Sequence, residues 1–501
     1  MRAALAAASA GAEAALFASL RDVAGPGAAL AYLALALPSP GMYAAAPALL
    51  PSSFVMVAHA GATAAALRLV GGPLKNRTRA ARATIVAAAV GLLWGWPVAA
   101  PAFLPAAAAV LALAPSLVAS IRTALAVSVA LLTPLILADR AAYGRWTLSL
   151  ANFLAYNVAG GGDSALYGVE PPSFYGRAAL LGAGLCVPLA SAQPLLTWAA
   201  GLRGGAGRGS ATPSPGAGRA VALVALAPAA LWVAAITALP HKEDRFLYPI
   251  FPALHAAAGT GLACLPALVR AACGVRVHAT AKGTRGSGGG VRAAVPALAS
   301  AAPVVVALAA ACLGLARSAA LATFYSAPRT VWASLPPHPG PAFNASSPAL
   351  VCMGAEWHRF PGSWALPDPT LFRPAFVSAG FGGLLPVPFG PGGSAAAPPT
   401  LNDRNRREAV NELPDTSTCA FFVGVAPENG GDAPNTGREW EVVRSARFVD
   451  VGGRRAGGAG LLLGRWLYVR GVRWGGLDGA GNAWVRYVLV RRREQRGTVF
   501  V

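Results

Sequence analysis

Long apolar runs separated by short polar loops fill the first two-thirds of the chain. Most of them approach the roughly 20 residues that an α-helix needs to cross a bilayer. They predict about ten membrane helices, several short or interrupted by proline, over residues 1–20, 27–38, 52–70, 83–99, 101–119, 123–138, 177–200, 220–239, 246–269 and 295–322. After about residue 325 the pattern changes to short apolar-aromatic runs typical of strands. The sequence therefore predicts a multi-spanning α-helical membrane region, residues 1–324, and a C-terminal domain of α/β or mostly β structure, residues 325–501.

The composition supports membrane insertion and raises one other class of partner. The chain is 55% hydrophobic and 12% charged, against about 25% charge in soluble domains. Its net charge of +21 would also suit nucleic acid. The arginines are scattered over loops and the tail, however, and no zinc-finger, RRM or helix-turn-helix pattern accompanies them. We therefore expect no nucleic-acid partner.

The basic loops orient the predicted helices. Three segments are rich in Lys and Arg, namely Gly71–Arg82, Gly201–Arg219 and the linker that follows Leu268. The positive-inside rule places such loops in the cytosol. The intervening loops then face the other side, together with residues 139–175, residues 241–245 and the tail. The helix count between basic loops is even in each case, which makes this assignment self-consistent.

Two glycosylation sequons follow from the same topology. Asn344, in the tail, would face the lumen and is a predicted N-glycan site, whereas Asn76 lies in a predicted cytosolic loop and should remain unmodified. The tail also holds Cys352 and Cys419, which would pair in an oxidising lumen or remain free. The sequence leaves that choice open.

Five consecutive polar residues, His241 to Arg245, interrupt two apolar runs. Charge at a membrane boundary needs a reason, because burying one charged side chain in lipid costs roughly 3 kcal/mol or more. A solvated turn between helices is one reason. A binding site for an anionic, lipid-linked substrate is the other: Lys242 and Arg245 would contact a phosphate, His241 would donate to it, and Glu243 or Asp244 would orient them.

The loop of residues 139–175 combines aromatic and polar side chains, a mixture that suits sugar binding because rings pack on pyranose C–H faces. Asn157, Tyr167 and Glu170 are predicted substrate-binding residues here. An interfacial aromatic belt is the alternative. The chain has no HExxH, paired CxxC or Walker motif, so neither a zinc protease nor an ATP-driven pump is indicated, and no metal site is predicted.

These segments resemble a known family. HKEDRFLYPIFP, from His241, is similar to the HKE-x-RF-x-x-P pattern of glycosyltransferase family 22 mannosyltransferases. SPGMYAAAPALLPSSFVM from Ser39, LANFLAYNVAGGGDSALYGVEPPSFY from Leu150 and MGAEWHRFPGSWALPDP from Met353 resemble one branch. That branch is the dolichyl-phosphate-mannose-dependent alpha-1,2-mannosyltransferase of asparagine-linked glycosylation, and the resemblance covers nearly the whole chain.

The resemblance implies a GT-C fold in the endoplasmic reticulum membrane and a lumenal active site. The donor would be dolichyl-phosphate-mannose, the acceptor the lipid-linked oligosaccharide, and the leaving group dolichyl phosphate. The bond changes from beta to alpha, so the transfer inverts and needs one base for the acceptor hydroxyl. Cations at residues 241–245 would stabilise the departing phosphate.

The resemblance also implies an acidic base in a first lumenal loop, between the first two membrane helices. No residue of this chain matches it; Glu13 lies inside an apolar run. We therefore expect the first helix, its loop and the family base upstream of Met1, and assign no catalytic residue. A GPI-anchor mannosyltransferase and an inactive or incomplete membrane remnant are the alternative functions.

Overall fold

A computed structural model of the chain describes residues 1–158, 164–202, 212–273, 291–386, 390–397, 404–449 and 484–493. It divides into two compact units, Met1–Leu315 and Ala316–Val501. The division falls inside a helix that runs from Val291 to Phe324, and a domain boundary at residue 324 stays a prediction.

The first unit is helical, and every predicted apolar run is helical over most of its length. Backbone N–H and C=O groups in lipid can pair only within the segment, which makes the helix the stable form of an isolated apolar run. The helices are α1 (Arg2–Ala24), α2 (Pro26–Ala36), α3 (Pro40–Ala45), α4 (Pro51–Gly71), α5 (Arg77–Val90), α6 (Ala100–Leu113), α7 (Leu117–Tyr143), α8 (Ser149–Asn157), α9 (Phe174–Ala183), α10 (Cys186–Leu202), α11 (Pro215–Val221), α12 (Ala227–Thr237), α13 (Phe251–Leu262), α14 (Leu265–Ala272) and α15 (Val291–Phe324).

Fewer of these helices span a membrane than the ten apolar runs suggested. Among the described residues, six segments are long and apolar enough to cross: Arg2–Ala24, Pro51–Gly71, Leu117–Tyr143, Pro215–Thr237, Asp244–Ala272 and Val295–Trp332. Helices α9 and α10 form a seventh span or a re-entrant loop, bent by 93°. Gly184 allows that bend, since its φ of 54° lies in the left-handed region that favours glycine. The multi-spanning helical prediction is confirmed.

Helix α13 forms the centre of the helical unit. All 12 of its residues are buried. It packs against α2 and α10, and Gly259 permits the closest of these approaches, because a Cβ there would lie 2.5 Å from the backbone nitrogen of Tyr32. This packing fixes the position of α13. The segment that leads into α13 carries the polar cluster.

The described residues of the second unit form a five-stranded mixed sheet, which confirms the predicted C-terminal sheet domain. The elements are α16 (Ala327–Trp332), β1 (Ala349–Met353), β2 (Phe372–Phe376), β3 (Phe421–Val425), β4 (Trp440–Val449) and β5 (Trp484–Arg492). The strand order is β2-β1-β3-β5-β4. Strand β1 pairs parallel with β2 and β3, and β5 pairs antiparallel with β3 and β4. The short helix α16 packs against β4 and β5.

The two tail cysteines meet between neighbouring strands of this sheet. Cys352 lies in β1 and Cys419 lies just before β3, and both are fully buried. Their sulfurs are bonded, and their Cα atoms are 5.8 Å apart, within the range that a disulfide requires. Arg492 of β5 holds the same corner by donating from Nε to the carbonyl of Cys419 over 3.1 Å.

Asn344 lies in an exposed turn just before β1. Its Oδ1 accepts hydrogen bonds from the backbone N–H of Ser346, at 2.9 Å, and of Ser347, at 3.0 Å. The sequon is thus presented at the surface of the second unit.

We expect Asn344 to carry an N-glycan when the chain is expressed in a eukaryotic cell, because the predicted topology puts this exposed turn in the lumen. Asn344→Gln should remove the electrophoretic shift that endoglycosidase treatment produces. Asn76→Gln is the matched control, since Asn76 is also an exposed sequon but lies in a predicted cytosolic loop. If the shift depended on Asn76 instead, the predicted topology would be wrong, and the loop of Asn76 would face the lumen.

Candidate functional site

The polar cluster is positioned by the elements on both sides of it. Helix α12 ends at Thr237, and a 3₁₀ stretch from Asp244 to Ile250 leads into α13. The indole of Trp232 donates to the carbonyl of Phe246 over 2.6 Å, which ties the 3₁₀ stretch to α12. Leu247 and Ile250 are buried. The cluster therefore lies on a rigid base although it is a connection between helices.

Lys242 has a different environment from its neighbours. It is 6% exposed, and its ammonium donates to three backbone carbonyls: Leu239 at 2.5 Å, Glu170 at 3.0 Å and Pro240 at 3.4 Å. An ammonium has three N–H donors, so these carbonyls use its full capacity. In this structure Lys242 is a tether between two loops, and its charge faces backbone oxygens and not an open surface.

Glu243 brings the other two basic side chains together. Its Oε1 accepts from Nη2 of Arg245 at 2.6 Å and lies 3.0 Å from Nε2 of His241. The side chains of His241 and Arg245 are 23% and 42% exposed, so both are more accessible than Lys242, whose contact with substrate stays a prediction. The ring of Phe246 lies under both groups, at 6.1 Å from the imidazole and 5.9 Å from the guanidinium carbon.

The loop that contains Tyr167 and Glu170 meets the cluster directly. Glu170 contributes its backbone: its N–H donates to Pro240 over 3.1 Å, and its carbonyl accepts from Lys242. The carbonyl of Gly168 lies 3.2 Å from Nδ1 of His241. The ring of Tyr167 is 6.0 Å from the imidazole. Two loops predicted to share one side of the membrane are thus joined by hydrogen bonds.

Asn157 occupies the last position of α8. Its side-chain amide donates to the carbonyl of Phe153, one turn earlier in the same helix. Tyr156, its neighbour, places its hydroxyl 3.2 Å from that of Tyr167. Helix α8 therefore borders the cluster through Tyr156, while a substrate contact by Asn157 stays a prediction.

Sequence reasoning missed an aromatic group beneath the cluster. Trp96 packs on Trp232 with ring centroids 5.3 Å apart and on Phe246 at 5.0 Å. Trp96 follows α5 by a π-helical turn, and no spacing rule links it to residues more than 130 positions away. It also missed the three carbonyls that bind Lys242, because backbone acceptors leave no residue-type pattern.

Metal ligands are scarce in the part of the chain that the structure describes. There, no group of three or more His, Cys, Asp or Glu side chains is close enough to hold an ion. The cluster itself offers two partly accessible basic groups, His241 and Arg245, one carboxylate that contacts both, and a tyrosine ring beside them.

These features define a multi-spanning membrane protein with a cationic, carboxylate-oriented site at one membrane boundary. The profile of the Alg9-like mannosyltransferase family matches residues 1–367, and the chain belongs to that family. Curated relatives carry the name alpha-1,2-mannosyltransferase. The Arabidopsis thaliana protein is 30% identical over 76% of this chain and 60% of its own length. The Homo sapiens protein is 28% identical over 79% of this chain and 60% of its own.

The match does not cover the full length of these relatives. The chain spans about 60% of the length of the Arabidopsis relative. Among solved structures, ArnT from Cupriavidus metallidurans bound to undecaprenyl phosphate aligns over 97% of this chain and 83% of its own, at 14% identity and a TM-score of 0.43.

Proposed function

We propose that this protein is an inverting alpha-1,2-mannosyltransferase of the endoplasmic reticulum membrane. It would transfer mannose from dolichyl-phosphate-mannose to the lipid-linked oligosaccharide precursor of protein N-glycosylation, within a GT-C arrangement. Family membership and the names of the relatives support this reading over a GPI-anchor acceptor. The observation that carries it is the pair of partly exposed basic side chains, His241 and Arg245, held on Glu243 between two apolar segments.

Arg245 is the proposed main contact of the donor phosphate. Its side chain is more exposed than those of His241 and Glu243 and is already oriented by Glu243. A guanidinium presents several N–H groups in a plane and matches phosphate oxygens in pairs. As the mannosyl bond breaks, negative charge collects on the dolichyl phosphate, and a preorganised cation stabilises that charge without reorganisation at the moment of reaction.

His241 is the proposed second contact, and its orientation has two anchors. One ring nitrogen faces the carbonyl of Gly168 and the other faces Glu243. The first contact requires a proton on Nδ1, because a carbonyl only accepts. The two contacts hold the imidazole in place beside Arg245. Tyr167, 6.0 Å away, supplies a ring for the sugar face.

The proposal can be tested by complementation of a yeast strain that lacks the alpha-1,2-mannosyltransferase, with lipid-linked oligosaccharides profiled by mass. The full-length protein should restore elongation. Arg245→Ala should reduce transfer about 10- to 100-fold, the loss expected for a charge-assisted hydrogen bond of about 1.5–3 kcal/mol. Arg79→Ala is the matched control, because Arg79 is an exposed arginine of α5, outside the cluster, and should transfer normally.

Two results would count against the proposal in different ways. Absence of elongation by the full-length wild-type protein, with membrane insertion verified, would refute the acceptor or the activity. Equal elongation by the wild type and by Arg245→Ala would retain the activity but refute the role of Arg245.

A further inference from the structure

A cavity of about 390 Å³ lies between the starts of helices α5 and α7. Arg82 of α5 faces it from one side, and the first turns of α7 face it from the other, through Ser116, Arg122 and Thr123 among others. Its volume is in the range of sites that hold small ligands, about 300–1,000 Å³. It lies in the first unit, on the predicted cytosolic side, and belongs to none of the loops of the polar cluster.

The two arginines that line this cavity are not neutralised. Among the described residues, neither Arg82 nor Arg122 forms a hydrogen bond or an ion pair, in contrast to Arg245 or Arg407. The whole segment from Gly71 to Ala126 contains no Asp or Glu. Two guanidinium groups facing one space repel each other, and an anion between them would remove that repulsion.

Polar groups at the start of α7 add a donor to the cavity. The side-chain oxygen of Ser116 accepts from the backbone N–H of Ala119 over 3.2 Å. Its own hydroxyl hydrogen has no acceptor among the described residues and can be donated to an anion. Thr123 differs, since its hydroxyl donates to the carbonyl of Ala119. The available donors are thus the two arginines and Ser116.

The surroundings of the cavity are suited to acyl chains. None of the most apolar 18-residue window of α7 is buried inside the protein. Leu117, Val118, Ile121 and Leu125 are between 49% and 62% exposed, so this surface faces lipid in a membrane. Arg122 lies in the same helix turns, where a long side chain extends to the headgroup level. An anion at the cavity would therefore have hydrocarbon beside it.

We propose that this cavity binds the phosphate of an anionic phospholipid of the cytosolic leaflet. Basic pockets between membrane helices on that side bind acidic headgroups, and each nearby arginine contributes about fivefold to the affinity for anionic lipid. The volume accommodates a headgroup, the arginines and Ser116 bind the phosphate, and the exposed surface of α7 contacts the chains. This proposal is independent of mannose transfer.

The test uses the full chain reconstituted in phosphatidylcholine nanodiscs that contain a photoactivatable phosphatidylserine, with crosslinked peptides mapped by mass spectrometry. The peptide that spans residues 116–126 should be labelled by the anionic probe more than by a photoactivatable phosphatidylcholine. Arg82→Gln with Arg122→Gln should reduce that labelling about 25-fold, at about fivefold per arginine. Excess inorganic phosphate should not compete, because it lacks the acyl chains that occupy the surface of α7.

Arg79→Gln is the control for general surface charge, since Arg79 is an exposed arginine of α5 that does not line the cavity. It should leave labelling nearly unchanged. Equal labelling by the two probes would overturn the proposal, and so would an equal loss in the Arg79 variant, which would mean only a diffuse charge effect. Full competition by inorganic phosphate would identify the cavity as a site for free phosphate and would likewise overturn the lipid assignment.

Discussion

Replacement of Lys242 by methionine is expected to destabilise the folded membrane region even in the absence of substrate. Methionine retains an apolar stem of similar length but cannot donate. The carbonyls of Leu239 and Glu170 would lose a charge-assisted partner, the ammonium of a side chain that is only 6% exposed. An acceptor left without a partner costs about 1–3 kcal/mol, so we expect a total loss of roughly 2–6 kcal/mol for the two. Thermal unfolding of the detergent-solubilised protein measures the change.

Limited proteolysis can identify the region that the substitution destabilises. The loop of residues 164–173 should become cleavable in the Lys242 variant, because Lys242 joins this loop to residues 239–242. Arg245→Gln is the matched control: it removes one positive charge from the same cluster, at a side chain that is 42% exposed. It should reduce transfer but keep wild-type unfolding and protection. If Lys242→Met has wild-type stability and protection and loses only transfer, Lys242 contacts substrate and is not a tether.

Removal of the disulfide between Cys352 and Cys419 should be the second large effect. The bond closes a loop with a sequence separation of 67, and closing a loop of that length in the unfolded chain corresponds to about 4 kcal/mol. Alanine at both positions avoids burying hydroxyl groups in the apolar cluster that surrounds the pair. Pulse proteolysis of the membrane-inserted protein, with products of the second unit detected by antibody, should show a strong loss of resistance.

Reductant and a distant cysteine provide the controls. Dithiothreitol should reduce the resistance of the wild type to the level of the double variant and leave the double variant unchanged. Cys273→Ser should have no effect, because Cys273 is an exposed, unpaired cysteine of the first unit. A double variant as resistant as the wild type, together with a wild type that is insensitive to reductant, would refute a stabilising role for the bond.

The polar cluster shows how much of a site can be predicted from residue types alone. The sequence predicted that His241, Lys242, Glu243 and Arg245 act together, and the structure does bring them together with the loop of Tyr167 and Glu170. The sequence did not predict that these side chains differ in burial and in hydrogen-bond partners. Lysine and arginine look equivalent in a charge run, but burial of Lys242 against three carbonyls and exposure of Arg245 give them different roles.

The chain itself determined the helices, since apolar runs in lipid have no other way to satisfy their backbone groups. It also determined the change from membrane runs to strands near residue 325, because long apolar runs give way there to short apolar-aromatic runs. The family followed from local segments such as HKEDRFLYPIFP, which can be recognised without any contact map.

Only the tertiary structure decided where the apolar runs break into separate helices, where the units divide, and which partners the charged groups find. These depend on contacts between positions far apart in sequence, such as Lys242 with Glu170, Trp96 with Phe246, and Arg82 with Arg122 across one cavity. Backbone carbonyls and glycine bends carry no residue-type signal of their partners. The physical reason is that burial and hydrogen bonding belong to the packed arrangement, whereas a linear pattern records only the tendency of each segment.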